Sequence, residues 1–294
     1  MFVIYWHNIL PRSLGVWDDT LPRITTESFE RQISWISRHF TPFTLSDLLD
    51  PQATFDSSKR HLAITFDDGF LGVKNHALPI LEKYSWTGTV FVLNSSTRST
   101  LMHAERLEIF FRLTGVESFG GFPLTDDSEK AAAYRRTKVQ MQPMNPPERT
   151  AFCQKVAMDL KVNESEMDFF AGQHPEIYGK LETRDYETLE RAGWTIGSHT
   201  SNHPHLTQME LIEVRSEIGV ASSCCRPESP RLFAYPYGDS DPQIAREVES
   251  AGYDAAFTTD PRLIRTDDDR FLLPRMSFGQ LWSRAEKKFK RRRR

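Results

Sequence analysis

Short apolar runs separated by helical patterns organise most of the chain. "FVIYW" (2–6), "HLAITF" (61–66), "GTVFVL" (88–93), "WTIGS" (194–198), "RLFAYP" (231–236) and "DAAFTT" (254–259) are rich in apolar residues. Runs of this length suit strands buried on both faces of a parallel sheet. Between the first two, Phe29, Ile33, Ile36 and Phe40 recur at helical spacing, which predicts an amphipathic helix with Thr26 as its N-cap. "NHALPILEKY", "TRDYETLERAG", "TQMELIEVRSEIGVASS" and "DPQIAREVESAG" predict further helices. Three of the strands follow a helix ending in Gly or Tyr, as αβ units commonly do. Strands alternating with helices predict an α/β fold whose parallel sheet is open or closed into a barrel.

Two segments depart from this rhythm. Residues 98–180 carry helical patterns and no strand, and read as a helical insertion on the side where loops carry function. At the other end, in "GQLWSRAEKKFKRRRR", Leu281, Ala285 and Phe289 recur every four residues with Trp282 beside them. A helix there would have a narrow apolar stripe and a strongly basic remainder, as helices lying on a membrane surface do.

Composition narrows the classes. With 294 residues, 39% of them hydrophobic and 12% aromatic, the chain can bury a substantial core, which excludes a mostly disordered protein. Cys153, Cys224 and Cys225 make no disulfide framework and no CxxC metal spacing; the adjacent pair reads as packed small residues in a helix. The start "MFVIYWHNILPRS" lacks the basic and apolar regions of a secretory leader, and no run of about 18 apolar residues is present. The expected location is therefore cytoplasmic. The net charge of −3 hides seven positive charges in residues 287–294, which leaves −10 on the first 286 residues. Such an end is attracted to anionic surfaces, so residues 279–294 are expected either to touch the inner face of a membrane or to remain a solvated tail. Nucleic-acid binding would rest on this end alone, without aromatic interleaving or a known module, and is not expected.

The chemistry is concentrated after three strands. "GSHTSNHPHL" (197–206) holds three of the nine histidines of the chain, His199, His203 and His205. "AITFDDGF" (63–70) places Asp67 and Asp68 directly after a strand, where α/β folds carry catalytic groups. Asp-Asp-Gly by itself is also ordinary turn chemistry. Together, Asp68, His199 and His203 compose a His₂Asp set, three protein ligands with one position open, as expected of a catalytic zinc. Asp67 beside them can take the proton of an attacking water. "FAYPYG" (233–238) follows a third strand, and its tight turn can aim a backbone N–H at a developing oxyanion.

"TFDDG", "HTSNHP" and "YPYG" in this order resemble the first three motifs of the polysaccharide deacetylase family, also called the NodB-homology family or carbohydrate esterase family four. The resemblance runs from about residue 2 to residue 278. It implies a distorted (β/α) barrel with fewer than eight strands, and metal-assisted hydrolysis of an N-acetyl amide on a saccharide to free amine and acetate. Asp67 would be the base, Asp68, His199 and His203 the metal ligands, and the Tyr237 backbone N–H part of the oxyanion hole. The implied metal is a divalent ion, with zinc the first expectation. His205 fits no ligand position and is assigned to the loop.

Two departures are visible. Many members have an arginine before the "PYG" turn that tethers the catalytic Asp, and here that position is Tyr235. Many also have a late Leu-x-x-His motif, whereas here no histidine follows His205. Arg275 of "LPRM" is the candidate for the missing positive charge. His7, at the end of the first strand, is the candidate general acid, as in a permuted branch with an N-terminal Tyr-His segment. The resulting division is a catalytic domain over 1–278, with 98–180 inserted in it, and a basic tail over 279–294. Deformylation or amide cleavage of a small metabolite on the same scaffold, and a non-catalytic saccharide-binding member, are the alternatives. The second would be expected to have lost Asp67 or a ligand, and this chain has all of them.

Overall fold

The structure is a computed structural model, described here for residues 1–94, 101–221 and 229–291. Its strands in chain order are β1 (Phe2–Trp6), β2 (Asn8–Leu10), β3 (Arg23–Thr25), β4 (Thr41–Pro42), β5 (His61–Phe66), β6 (Thr89–Val92), β7 (Ser118–Phe119), β8 (Phe122–Pro123), β9 (Thr195–Ser198), β10 (Leu232–Ala234), β11 (Ala255–Phe257) and β12 (Met276–Ser277). One eight-stranded sheet runs in the order β11-β10-β9-β6-β5-β1-β12, with β4 pairing the start of β5. Every pairing in this sheet is parallel. The two ends of the order approach each other, because Leu273 bridges Phe257 of β11 while Met276 pairs with Ile4 of β1. The result is a curled (β/α) half-barrel, and the C-terminal ends of its strands form one rim.

Strand pleat sorts the apolar runs into two layers. Ile4, Ile64, Phe66, Val90 and Ile196 face outward and pack on Phe29, Ile33 and Ile36 of the helix Thr26–His39. Their neighbours Val3, Ala63, Phe91, Ala234, Ala255 and Phe257 form a separate inner cluster in which small and large side chains alternate. The first helix is capped by Thr25, whose Oγ1 accepts from the Ser28 N–H at 3.2 Å, and not by Thr26. Thr25 is the last residue with extended backbone, which is what an N-cap requires. The helix predicted at "NHALPILEKY" (75–84) begins two residues earlier, with a π-helical turn over Val73–Ala77 that continues as the helix Leu78–Lys83.

The segment between β6 and β9 forms helices His103–Leu113, Asp127–Met141, Pro146–Asp159 and Glu164–Gln173, plus a short turn of helix at Pro175–Tyr178. It also contains the hairpin β7–β8, which sequence reading did not anticipate because two-residue strands have no period. This segment has its own core of Leu107, Phe110, Phe111, Tyr134, Val156, Leu160 and Met167, which Leu10, Trp17 and Leu21 join from the other side of the rim. Glu108 is fully buried there, accepting from Arg23 Nη2 (2.5 Å), Thr20 Oγ1 (2.7 Å), Arg112 Nε (2.8 Å) and Tyr178 Oη (2.9 Å). A buried carboxylate is tolerated where its lone pairs are met in this way.

The last helix spans Phe278–Arg291. The first members of its expected membrane-facing stripe are used within the fold: Leu281 is buried in the main core, and Trp282 packs edge-on against Trp35 at 5.0 Å. The Phe289 side chain, Cys224 and Cys225, and residues 292–294 lie outside what is described. Among the described residues no helix is long and apolar enough to cross a membrane.

Candidate metal centre and active site

Parallel strands bring their following residues to the same rim, so His7 after β1, Asp67 and Asp68 after β5, His199 after β9 and Tyr237 after β10 are gathered there. Asp68, His199 and His203 offer ligand atoms that all lie within 4.8 Å of one another. Asp68 Oδ1 stands 3.5 Å from His199 Nε2 and 3.3 Å from His203 Nε2. His199 Nδ1 lies 2.7 Å from the Ala234 carbonyl, so this nitrogen is the N–H donor and Nε2 carries a bare lone pair.

This arrangement fits a cation. Asp68 Oδ1 is buried and has no hydrogen-bond partner, although two imidazole nitrogens face it. Converging lone pairs repel one another unless a positive charge lies between them. Burial alone would raise the Asp68 carboxyl, but the charges of His203, His7, His199 and Lys180 outweigh it and hold it at about 2. Burial pushes His203 down to about 3, against the pull of Asp68. The ionised carboxylate and neutral imidazoles are the states a divalent ion requires.

Backbone geometry is also specialised here. Among the described residues six non-glycine residues have positive φ, and four of them are Asp68 (69°), Thr200 (68°), His203 (55°) and Tyr237 (60°). Such conformations cost about 1–3 kcal/mol each and persist only where neighbours over-determine them. In the loop between the histidines, Thr200 Oγ1 accepts from the His203 N–H at 3.1 Å. Glu217, on the helix Leu211–Ala221, accepts from the backbone N–H groups of Ser201 and Asn202 at 2.9 Å each. The polar residues of "HTSNHP" thereby fix the spacing of the two ligands.

Asp67 lies beside the ligand set and is held by Arg275. Arg275 Nη1 donates to Asp67 Oδ1 at 2.7 Å and Nη2 to Oδ2 at 2.9 Å, while Nε donates to the Thr258 carbonyl at 3.1 Å. The guanidinium is fully buried between the rings of Tyr5 and Phe91, at 5.1 and 5.2 Å. Burial would raise the Asp67 carboxyl, yet Arg275, with His199 and His7, keeps it below the usual range. Tyr235, at the position before "PYG", faces elsewhere: it is buried and its Oη donates to the Phe271 carbonyl at 2.8 Å.

His7 is partly buried, 5.7 Å from the Tyr5 ring, and near enough for its charge to act on both Asp67 and Asp68. It lines a cleft of 560 Å³ with Trp6, Asp18, Gln32 and Phe278. The backbone of Tyr237 turns at φ 60°, ψ 2° in the left-handed region, and Gly238 follows at φ 71°. A Cβ at Gly238 would come within 2.0 Å of Thr259 Oγ1, so only glycine fits there. His205 is not part of the ligand set; its ring stacks on Tyr237 at 3.8 Å.

Sequence reading missed Lys180 and Glu105. Lys180 donates to Glu105 Oε1 at 2.8 Å and sits 3.3 Å over the Phe70 ring, two residues from Asp68. The available hint was a pair of carboxylates, Glu105 and Glu108, within the apolar run "ERLEIFF".

A family model for polysaccharide deacetylase matches residues 55–110 and 150–256, more than half of the chain. The chain belongs to the polysaccharide deacetylase family. Among curated relatives, the poly-beta-1,6-N-acetyl-D-glucosamine N-deacetylase of Staphylococcus epidermidis is 31% identical over 81 residues. That match spans 27% of this chain and 28% of that protein. Among solved structures, the Streptococcus pyogenes deacetylase PplD in complex with acetate superposes with a TM-score of 0.59 at 15% identity, covering 96% of both chains. IcaB from Ammonifex degensii gives 0.53 at 16% identity over 96% of this chain and 95% of that one. These likenesses show the fold, a NodB-type (β/α) barrel. The residues the family model leaves unmatched between its two stretches, 111–149, lie within the helical segment.

Proposed function

We propose that this protein is a metal-dependent deacetylase that hydrolyses the N-acetyl amide of an amino sugar in a saccharide. The observation that carries the reading is the convergence of Asp68, His199 and His203 on one point, with an ionised, arginine-held Asp67 alongside. A divalent ion on those three ligands, with zinc the first candidate for a His₂Asp set, would polarise the scissile carbonyl and acidify the attacking water. Asp67 keeps lone pairs outside its two bonds to Arg275 and accepts the proton of that water. The Tyr237 N–H meets the oxygen on which negative charge develops. His7, which follows β1 on the same rim as the ligands, donates a proton to the leaving nitrogen so that it departs as an amine. The S. epidermidis relative, by its name, removes acetyl groups from a poly-N-acetylglucosamine. This favours a saccharide over the small metabolites that a deformylase or amidohydrolase on the same scaffold would take.

Acetate release from polymeric, lipid-linked and nucleotide-linked N-acetylhexosamines, with metal content measured on the same sample, tests the proposal. Release proportional to bound metal from at least one saccharide is expected. Formate release from N-formyl compounds, with none of these saccharides turned over, would replace it with the deformylase reading.

His7→Ala should lower kcat without loss of metal, because His7 lies outside the ligand set. A positioned general acid contributes about 10²–10⁴-fold. The alkaline limb of the pH–kcat profile should change shape in the variant. An unaltered limb would return His7 to a structural role at the end of β1.

A further inference from the structure

Arg149, on the helix Pro146–Asp159, belongs to the part of the helical segment outside the family match, and only 4% of it is exposed. Its guanidinium is fixed on three sides. Nε donates to the Met144 carbonyl at 2.7 Å and Nη2 to the Gln142 carbonyl at 2.8 Å. Those two bonds orient the fork, and Nη1 donates to Tyr237 Oη at 3.2 Å, 88 residues away.

The Tyr237 side chain is half-exposed, yet it is held from several directions. His205 stacks on it at 3.8 Å and 3°, and His203 meets it edge-on at 4.5 Å and 70°. His205 is itself placed by Asp239, 3.4 Å from its Nδ1. A left-handed backbone is costly for a residue as bulky as tyrosine and persists only where surrounding contacts enforce it. Here Thr259 Oγ1 donates to the Tyr237 carbonyl at 3.2 Å, and the hydroxyl at the far end of the ring is held by Arg149, one residue before the family match resumes at 150.

We propose that Arg149 is a positioning residue for the reaction. By holding Tyr237 Oη it maintains the left-handed 236–238 turn that aims the Tyr237 N–H at the reacting carbonyl oxygen. The helical segment is then a working wall of the catalytic centre, and the stacked His205 a support for the same ring. This rests on the deacetylase reading above for its effect on turnover, and on geometry alone for its effect on the turn.

Tyr237→Phe removes only the hydroxyl and keeps the stacked ring, and Arg149→Met removes the donor. Each should lower kcat by about tenfold, a typical loss for a charge-assisted hydrogen bond, with KM and metal content unchanged. The double variant should be no worse than either single one, since both break the same link. Losses that multiply, or a Tyr237→Phe enzyme with wild-type kcat, overturn the proposal. Should Arg149→Met fold poorly, Tyr237→Phe decides the matter by itself. Hydrogen exchange of backbone amides 235–239 gives a readout independent of turnover: Tyr237→Phe should speed it in that turn and not elsewhere. Unchanged exchange there overturns the anchor even if the wild-type protein releases no acetate, whereas that lack of release alone counts only against the deacetylase reading.

Discussion

His203→Ala should bind no stoichiometric divalent metal and should lose at least about 10³-fold in kcat, because electrophilic stabilisation by a bound ion supplies several kcal/mol. The variant leaves only Asp68 and His199 facing each other across 3.5 Å. Stability gives a second measure. Adding metal to the wild-type protein should raise its unfolding free energy by about 2.7 kcal/mol at a hundredfold excess over Kd. The same addition should leave His203→Ala unchanged. Full metal occupancy with retained activity in this variant would falsify the ligand assignment.

Asp67→Asn should behave differently in kind. Metal should remain, because Asp67 is not among the three converging ligands, while kcat falls by about 10²–10⁴-fold with loss of the base. Stability should fall as well, since the substitution leaves the fully buried Arg275 without its ionic partner. Removing one member of a buried pair costs about 3–5 kcal/mol, and the remaining amide oxygen of Asn places the expected loss near the lower end. The Asp67 carboxyl is lowered in the folded protein, burial being outweighed by Arg275. Its contribution is therefore present above the ordinary carboxylate range and is lost as pH falls through the lowered value. The difference in unfolding free energy between wild type and Asp67→Asn should shrink toward acid. Loss of metal in Asp67→Asn would mean that Asp67 and Asp68 have exchanged roles.

The barrel strands, the order of the motifs and the division between apolar and polar faces could be read in the amino-acid sequence. Both faces of β1, β5, β6, β9, β10 and β11 are covered, so these segments are apolar throughout, and that is a local signal. The residues directly after such strands lie on one rim as a consequence of parallel pairing, which is why Asp67, Asp68, His199 and Tyr237 could be named beforehand. Shorter elements escaped: β4, β12 and the β7–β8 hairpin have two residues per strand and no period to detect. Their positions depend on what they pair with.

The tertiary structure alone decided how the charges are connected. Arg275 and Asp67 are 208 residues apart, and their bidentate contact depends on the segment around Leu273–Ser277 bridging β11 to β1. Tyr235 follows a strand as an arginine would, yet its side chain turns into the core against the Phe271 carbonyl. Arg149 reaches Tyr237, and Glu217 spans the histidine loop, because helices with separate periodicities pack over the same rim. Local sequence determines which residues can form a strand, a cap or a turn. Which distant side chain meets a given lone pair follows from how the whole chain closes, and no local pattern encodes it.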